Sequence, residues 1–129
     1  MDGTLLRGDG TISERTKSAI QQARQKGVKV VLASGRPIEG LERYLTELGL
    51  TTDDDYALSY NGALIKNVGT RENICSQLIS GKDLHDVYAV SQQIGVNTHA
   101  FSTELGLISP KLSHYTAHER DINGIPLTL

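Results

Sequence analysis

The sequence predicts an α/β fold in two parts: a parallel-sheet unit over residues 1–80 and a smaller α+β unit over 81–129. Three observations carry that prediction. Helix-period and strand-period segments alternate from residue 13 to residue 60, the order that builds parallel strands with crossover helices. After Gly81 the order changes to one helix followed by successive short strands. The charge pattern changes at the same place. Residues 1–80 hold ten basic and ten acidic side chains and no histidine, whereas 81–129 hold three basic, five acidic and all four histidines.

Each element has a local reason. Ser13 is a suitable N-cap, Thr16, Ala19, Ile20 and Ala23 follow at helical spacing, and Gly27 stands where a left-handed stop belongs, so a helix is expected over 13–26. The β-branched run from Val28 to Ala33 reads as a buried parallel strand. Ser34-Gly35-Arg36 breaks it, and Pro37 suits the first position of a second helix. Leu41, Tyr44, Leu45 and Leu48 repeat along one face of that helix, which Gly49 ends. Residues 56–60 form the next strand, stopped by Asn61-Gly62, and a hairpin is expected from 63–67 and 72–77. Beyond Gly81, Leu84, Val87, Tyr88 and Ser91 share a helix face closed by Gly95. Strands over 96–101 and 105–109 follow, then a mixed segment to the end.

Composition narrows the function classes. A chain of 129 residues with 38% hydrophobic and 22% charged residues is globular. Its net charge of −2 argues against a nucleic-acid footprint. One cysteine, Cys75, forms no internal disulfide and suits a reducing cytosol. No apolar run approaches the roughly 20 residues that span a bilayer, and the start lacks a basic-then-apolar signal pattern. A cytoplasmic protein without membrane contact is expected.

Three motifs fall where an α/β sheet places a site, at strand carboxyl ends: Asp2-Gly3-Thr4-Leu5-Leu6, Ser34-Gly35-Arg36-Pro37 and Tyr60-Asn61-Gly62-Ala63. In this order and at these separations they resemble the haloacid dehalogenase-like phosphatases, and within them the Cof-type sugar phosphatases. The resemblance covers the whole chain. It implies part of a Rossmann-like core over 1–80 and the start of an α+β cap over 81–129. It also implies Mg²⁺-dependent hydrolysis of sugar phosphates or similar small phosphomonoesters through an aspartyl-phosphate. The chemical need is to position a phosphoryl group and balance the charge on its oxygens.

Carried over residue by residue, the resemblance makes the Asp2 side chain the general acid/base and its backbone carbonyl a Mg²⁺ ligand. The Met1 amide, Ser34 and the Gly35 amide become phosphate contacts. Asn61 contacts phosphate or sugar, and Asp9-Gly10 forms the tight turn of a flap hairpin. The implied nucleophile would precede Met1, and the implied lysine and downstream acidic motif do not occur in residues 1–129. The chain is therefore expected to be an internal piece of a phosphatase, inactive alone. An unpaired strand edge beside 28–33 is expected to recruit a second copy or another chain.

Plainer roles compete with these. Ser34 can cap the helix after it, Arg36 can be a structural ion-pair partner, and Asn61-Gly62 can be only a turn. His114 and His118 have the spacing of two ligands on one helix face, without a convincing third. Arg7-Gly8-Asp9 reads as a coincidental tripeptide. Cys75 is a buried or edge thiol, and Asp53-Asp54-Asp55 reads as a solvated loop.

Overall fold

Helix α1 spans Glu14–Gln25 in the computed structural model, which describes residues 1–129. The Ser13 hydroxyl accepts from the Thr16 amide at 3.1 Å, and Gly27 takes a left-handed φ of 84° just past the end. Both signals work as the sequence indicates, because the free amides and carbonyls of a helix end need partners. The chain divides into two units, Met1–Ser76 and Gln77–Leu129.

The first unit contains α1, β1 (Leu32–Ala33), α2 (Glu39–Glu47), β2 (Tyr56–Ser59), β3 (Leu64–Asn67) and β4 (Asn73–Ser76). Its sheet has the order β1-β2-β3-β4. β1 and β2 run parallel, and β3 and β4 form the expected antiparallel hairpin. Leu41, Tyr44, Leu45 and Leu48 of α2 and its last turn are at most 2% exposed. They pack with Leu6, Ile12, Leu32, Ile38, Leu50 and Ala57 into one core. Burying a leucine side chain contributes roughly 1.5–3 kcal/mol, so this stripe is the main reason α2 forms.

Three expectations are corrected in this unit. The strand expected over 28–33 is paired only at Leu32↔Ala57 and Ala33↔Leu58. β1 is the outermost strand and β2 begins at Tyr56, so residues 28–31 pair with no strand, and Val28 and Val31 are exposed. Pro37 opens a turn closed by Gly40 N–H to Pro37 O and Leu41 N–H to Ile38 O, which delays α2 until Glu39. Asp55 is not solvated: it is buried and accepts from Thr52 N (2.9 Å) and Thr52 Oγ1 (2.8 Å). Its other oxygen meets Arg24 Nη2 at 3.3 Å, and Arg24 also donates to the carbonyls of Leu48 and Gly49.

The second unit contains α3 (Gly81–Ile94), β5 (Ala100–Ser102), β6 (Gly106–Ile108), α4 (His114–Asn123) and β7 (Leu127–Thr128). β5 and β6 are antiparallel, β6 and β7 parallel. Ser80 and Asp83 form a capping box on α3, and Gly95 ends it with a left-handed φ of 71°. The strands expected over 96–101 and 105–109 are shorter than that, and the mixed segment resolves into α4 and β7. Ser113 caps α4, and Gly124 follows it in a left-handed conformation. Both end signals are present in the sequence. Helical periodicity was weak there because the side chains α4 buries, Thr116 and Asn123, are polar.

Candidate active site

β1 and β2 are parallel neighbours, so the loops leaving them emerge at the same end of the sheet. Ser34 follows β1 directly, and Tyr60 follows β2. The two loops are tied together through the main chain. Ser34 N–H donates to Leu58 O at 3.0 Å, Asn61 N–H to Ser34 O at 2.9 Å, and Tyr60 N–H to Arg36 O at 3.1 Å. Tyr60, Asn61 and Gly62 take successive positive φ values of 50°, 57° and 91°. For a bulky tyrosine that is a sparsely populated conformation, which costs energy and persists because the surrounding bonds hold it. Burial pushes the Tyr60 phenol up to about 12, with Glu39 adding to the effect.

Asn61 comes back over the first loop. A Cβ on Gly35 would sit 3.1 Å from Asn61 Oδ1, so glycine at 35 allows that close approach. Ser34 Oγ accepts from the Arg36 amide at 3.3 Å. Ser34, Gly35 and Asn61, expected as phosphate contacts from separate motifs, thus lie together.

Asp2 reaches the same place through one side chain. Its turn is set by the Met1 carbonyl, which accepts from the amides of Thr4, Leu5 and Leu6 and from Thr4 Oγ1. Arg36 Nη2 lies 2.7 Å from Asp2 Oδ1, and Arg36 Nε lies 3.3 Å from Oδ2. The hydrogen bond from Arg36, helped by its charge, holds the Asp2 carboxyl below the ordinary carboxylate range. Met1 is half-buried against the core. Asp9-Gly10 forms a tight turn, with Asp9 Oδ1 accepting from Thr11 N (3.0 Å) and Thr11 Oγ1 (2.7 Å).

The residues present do not by themselves fit a Mg²⁺ ion. Asp2 is the one acidic side chain the motifs offer, it is already paired with Arg36, and no three His, Cys, Asp or Glu side chains are grouped so that they could hold a metal ion. His114 and His118 both lie on α4, outside this group. Cys75 is exposed on β4. No helix is long and apolar enough to cross a membrane. Sequence reasoning missed the left-handed Tyr60, for which a tyrosine gives no signal. It left Arg36 as an ion-pair partner without naming Asp2.

Loops leaving the ends of adjacent parallel strands stand where an α/β fold places its binding site. The chain belongs to the haloacid dehalogenase-like hydrolases, whose family model matches residues 1–125. Among individual relatives, the Bacillus subtilis protein named "Putative phosphatase YxeH" is 38% identical over 128 residues, which is 98% of this chain and 47% of that protein. A Streptococcus pyogenes relative, M6_Spy0533, is 33% identical across 98% of this chain and 48% of its own length. The chain thus spans about half the length of the curated relatives it matches. A haloacid dehalogenase-like hydrolase from Bacteroides thetaiotaomicron superposes with a TM-score of 0.84 at 24% identity, over 98% of this chain and 48% of that one. The subclass IIB sugar phosphatase BT4131 superposes with a TM-score of 0.76 at 24% identity, over 99% and 50%. At these identities the two structures speak for the fold alone.

Proposed function

We propose that this chain carries part of the phosphoryl site of a phosphatase acting on sugar phosphates or similar small phosphomonoesters. The observation that carries this reading is the joining of Ser34-Gly35-Arg36 and Tyr60-Asn61-Gly62 at one end of the sheet, with Asp2 linked to them by Arg36. The relatives named as phosphatases support it.

In this reading the Ser34 hydroxyl and the amides of Met1 and Gly35 hold phosphoryl oxygens, and Asn61 completes the cradle. Asp2 gives a proton to the leaving oxygen and later takes one from water. The first unit is part of the catalytic core, and the second is the start of a substrate-selecting cap. Mg²⁺ needs more oxygen ligands than these residues gather. In this reading no turnover is expected of the 129 residues by themselves, and Mg²⁺-dependent turnover of hexose phosphates by them would contradict it.

Calorimetry with inorganic phosphate tests the binding half. Saturable binding is expected, weakened about tenfold by Ser34→Ala, the loss of one hydrogen bond to a charged group. Equal affinity in the two proteins would sink the assignment. A second reading, association with another copy of this chain, is favoured by the unpaired edge of β1 with exposed Val28 and Val31. Light scattering at tens of micromolar, where such edges assemble, would then give a dimer mass; a monomer mass would contradict it.

A further inference from the structure

Arg36 and Asp2 stand 34 positions apart and come from different motifs, yet two guanidinium nitrogens meet the two carboxylate oxygens at 2.7 and 3.3 Å. The partners are unequal. The Arg36 side chain is 16% exposed and that of Asp2 is 68% exposed. Arg36 is held at its own main chain on both sides, by its amide donating to Ser34 Oγ and its carbonyl accepting from Tyr60 N–H. Its guanidinium carbon also lies 5.9 Å from the ring centre of Tyr44, a fully buried core residue. Asp2, by contrast, sits on an exposed turn whose bonds fix the main chain and leave the side chain's rotation to other contacts.

We propose that Arg36 is a positioning residue for Asp2: its guanidinium, carried on a main chain that the Ser34 and Tyr60 loops hold, fixes where the Asp2 carboxylate points. The inference rests on the reading of Asp2 as the acid/base group. Such a group acts only within hydrogen-bond reach of the proton it moves, and a small misplacement costs much of its effect. An ordinary exposed ion pair does little, because both side chains are free to wander. Here one partner is fixed, so the planar fork can impose a direction on the other. Lysine, a point charge on a flexible stem, keeps the attraction without the direction.

The test reads direction, not turnover. Three-bond couplings from Asp2 Cγ to its own nitrogen and carbonyl carbon, in labelled 129-residue chain, are expected to show a single χ1 rotamer. In Arg36→Gln they are expected to average over rotamers, and in Arg36→Lys to fall between. Unchanged couplings in folded Arg36→Gln would overturn the proposal, since a merely packing arginine leaves Asp2 alone. Should Arg36→Gln fail to fold, the exposed partner provides the second arm. Exchange of the Arg36 Nε proton with water is expected to accelerate about tenfold in Asp2→Ala, the loss of one charge-assisted hydrogen bond. Equal exchange in Asp2→Ala and the parent chain would overturn it. Neither arm uses phosphate, so a failure of phosphate binding strikes the functional reading and leaves these two readouts standing.

Discussion

The two units bury their apolar residues to very different extents. In Met1–Ser76 a continuous cluster of leucines, isoleucines, Tyr44 and Ala57 is buried from the first motif to β2. In Gln77–Leu129 the buried apolar residues are Leu107 and Ile125, while Val87, Val90, Ile94 and Tyr115 are more than half exposed. What the second unit has in quantity is end chemistry: the Ser80–Asp83 capping box, the Ser113 cap, and glycines at 95 and 124 in left-handed conformations. The difference shows that one unit is ordered mainly by apolar burial and the other mainly by satisfied helix ends and short strand ladders. Substitutions of the same kind should therefore cost different amounts in the two.

Leu45→Ala should have the largest effect. It empties a site 1% exposed in the core of the first unit, and a loss of about 3 kcal/mol is expected in urea unfolding. A loss below about 1 kcal/mol would mean that the core is looser than its burial implies. Asp55→Ala should follow at about 2 kcal/mol, because it leaves Thr52 and Arg24 without the acceptor they share. The same unfolding experiment reads it.

In the second unit Ser80→Ala should cost about 1 kcal/mol, read by amide exchange within α3. That cap is also pH-sensitive. The Ser80 hydroxyl and amide hold the Asp83 carboxyl below its ordinary value of 3.8. Its folded value is therefore depressed, so its support is fully present above 3.8 and is lost as the pH falls through the folded value. Lower protection of the α3 amides on acidification, measured against their intrinsic exchange rates and absent in Asp83→Asn, would show it. Ile94→Ser should be the smallest, within about 0.5 kcal/mol, since that side chain is 67% exposed. A large loss there would mean that the exposed apolar face of α3 is covered in solution, and the contrast between the units would fail.

How much of this was legible in the sequence follows the same division. The apolar stripe of α2, the caps of α1 and the β3–β4 hairpin could be read because period, cap and turn agree within a few residues. The shortening of β1 could not, since a β-branched run reports strand preference and not the presence of a neighbour. Nor could the burial of Asp55, which depends on Arg24 arriving from another helix. α4 was missed although Ser113 and Gly124 mark its ends, because Thr116 and Asn123 on its buried side are polar and blur the period. At the site, the motifs named Asp2, Ser34, Gly35 and Asn61 but not how they meet. The backbone bonds between the two strand-end loops and the Arg36 fork are long-range, and only the fold brings them about.

A residue-resolved titration with inorganic phosphate tests the central claim most directly. Amide signals of Ser34, Gly35 and Asn61 should move together and saturate with one affinity, while those of α3 and α4 stay in place. Shifts confined to the lysines of the surface, or none at the two strand-end loops, would contradict the account.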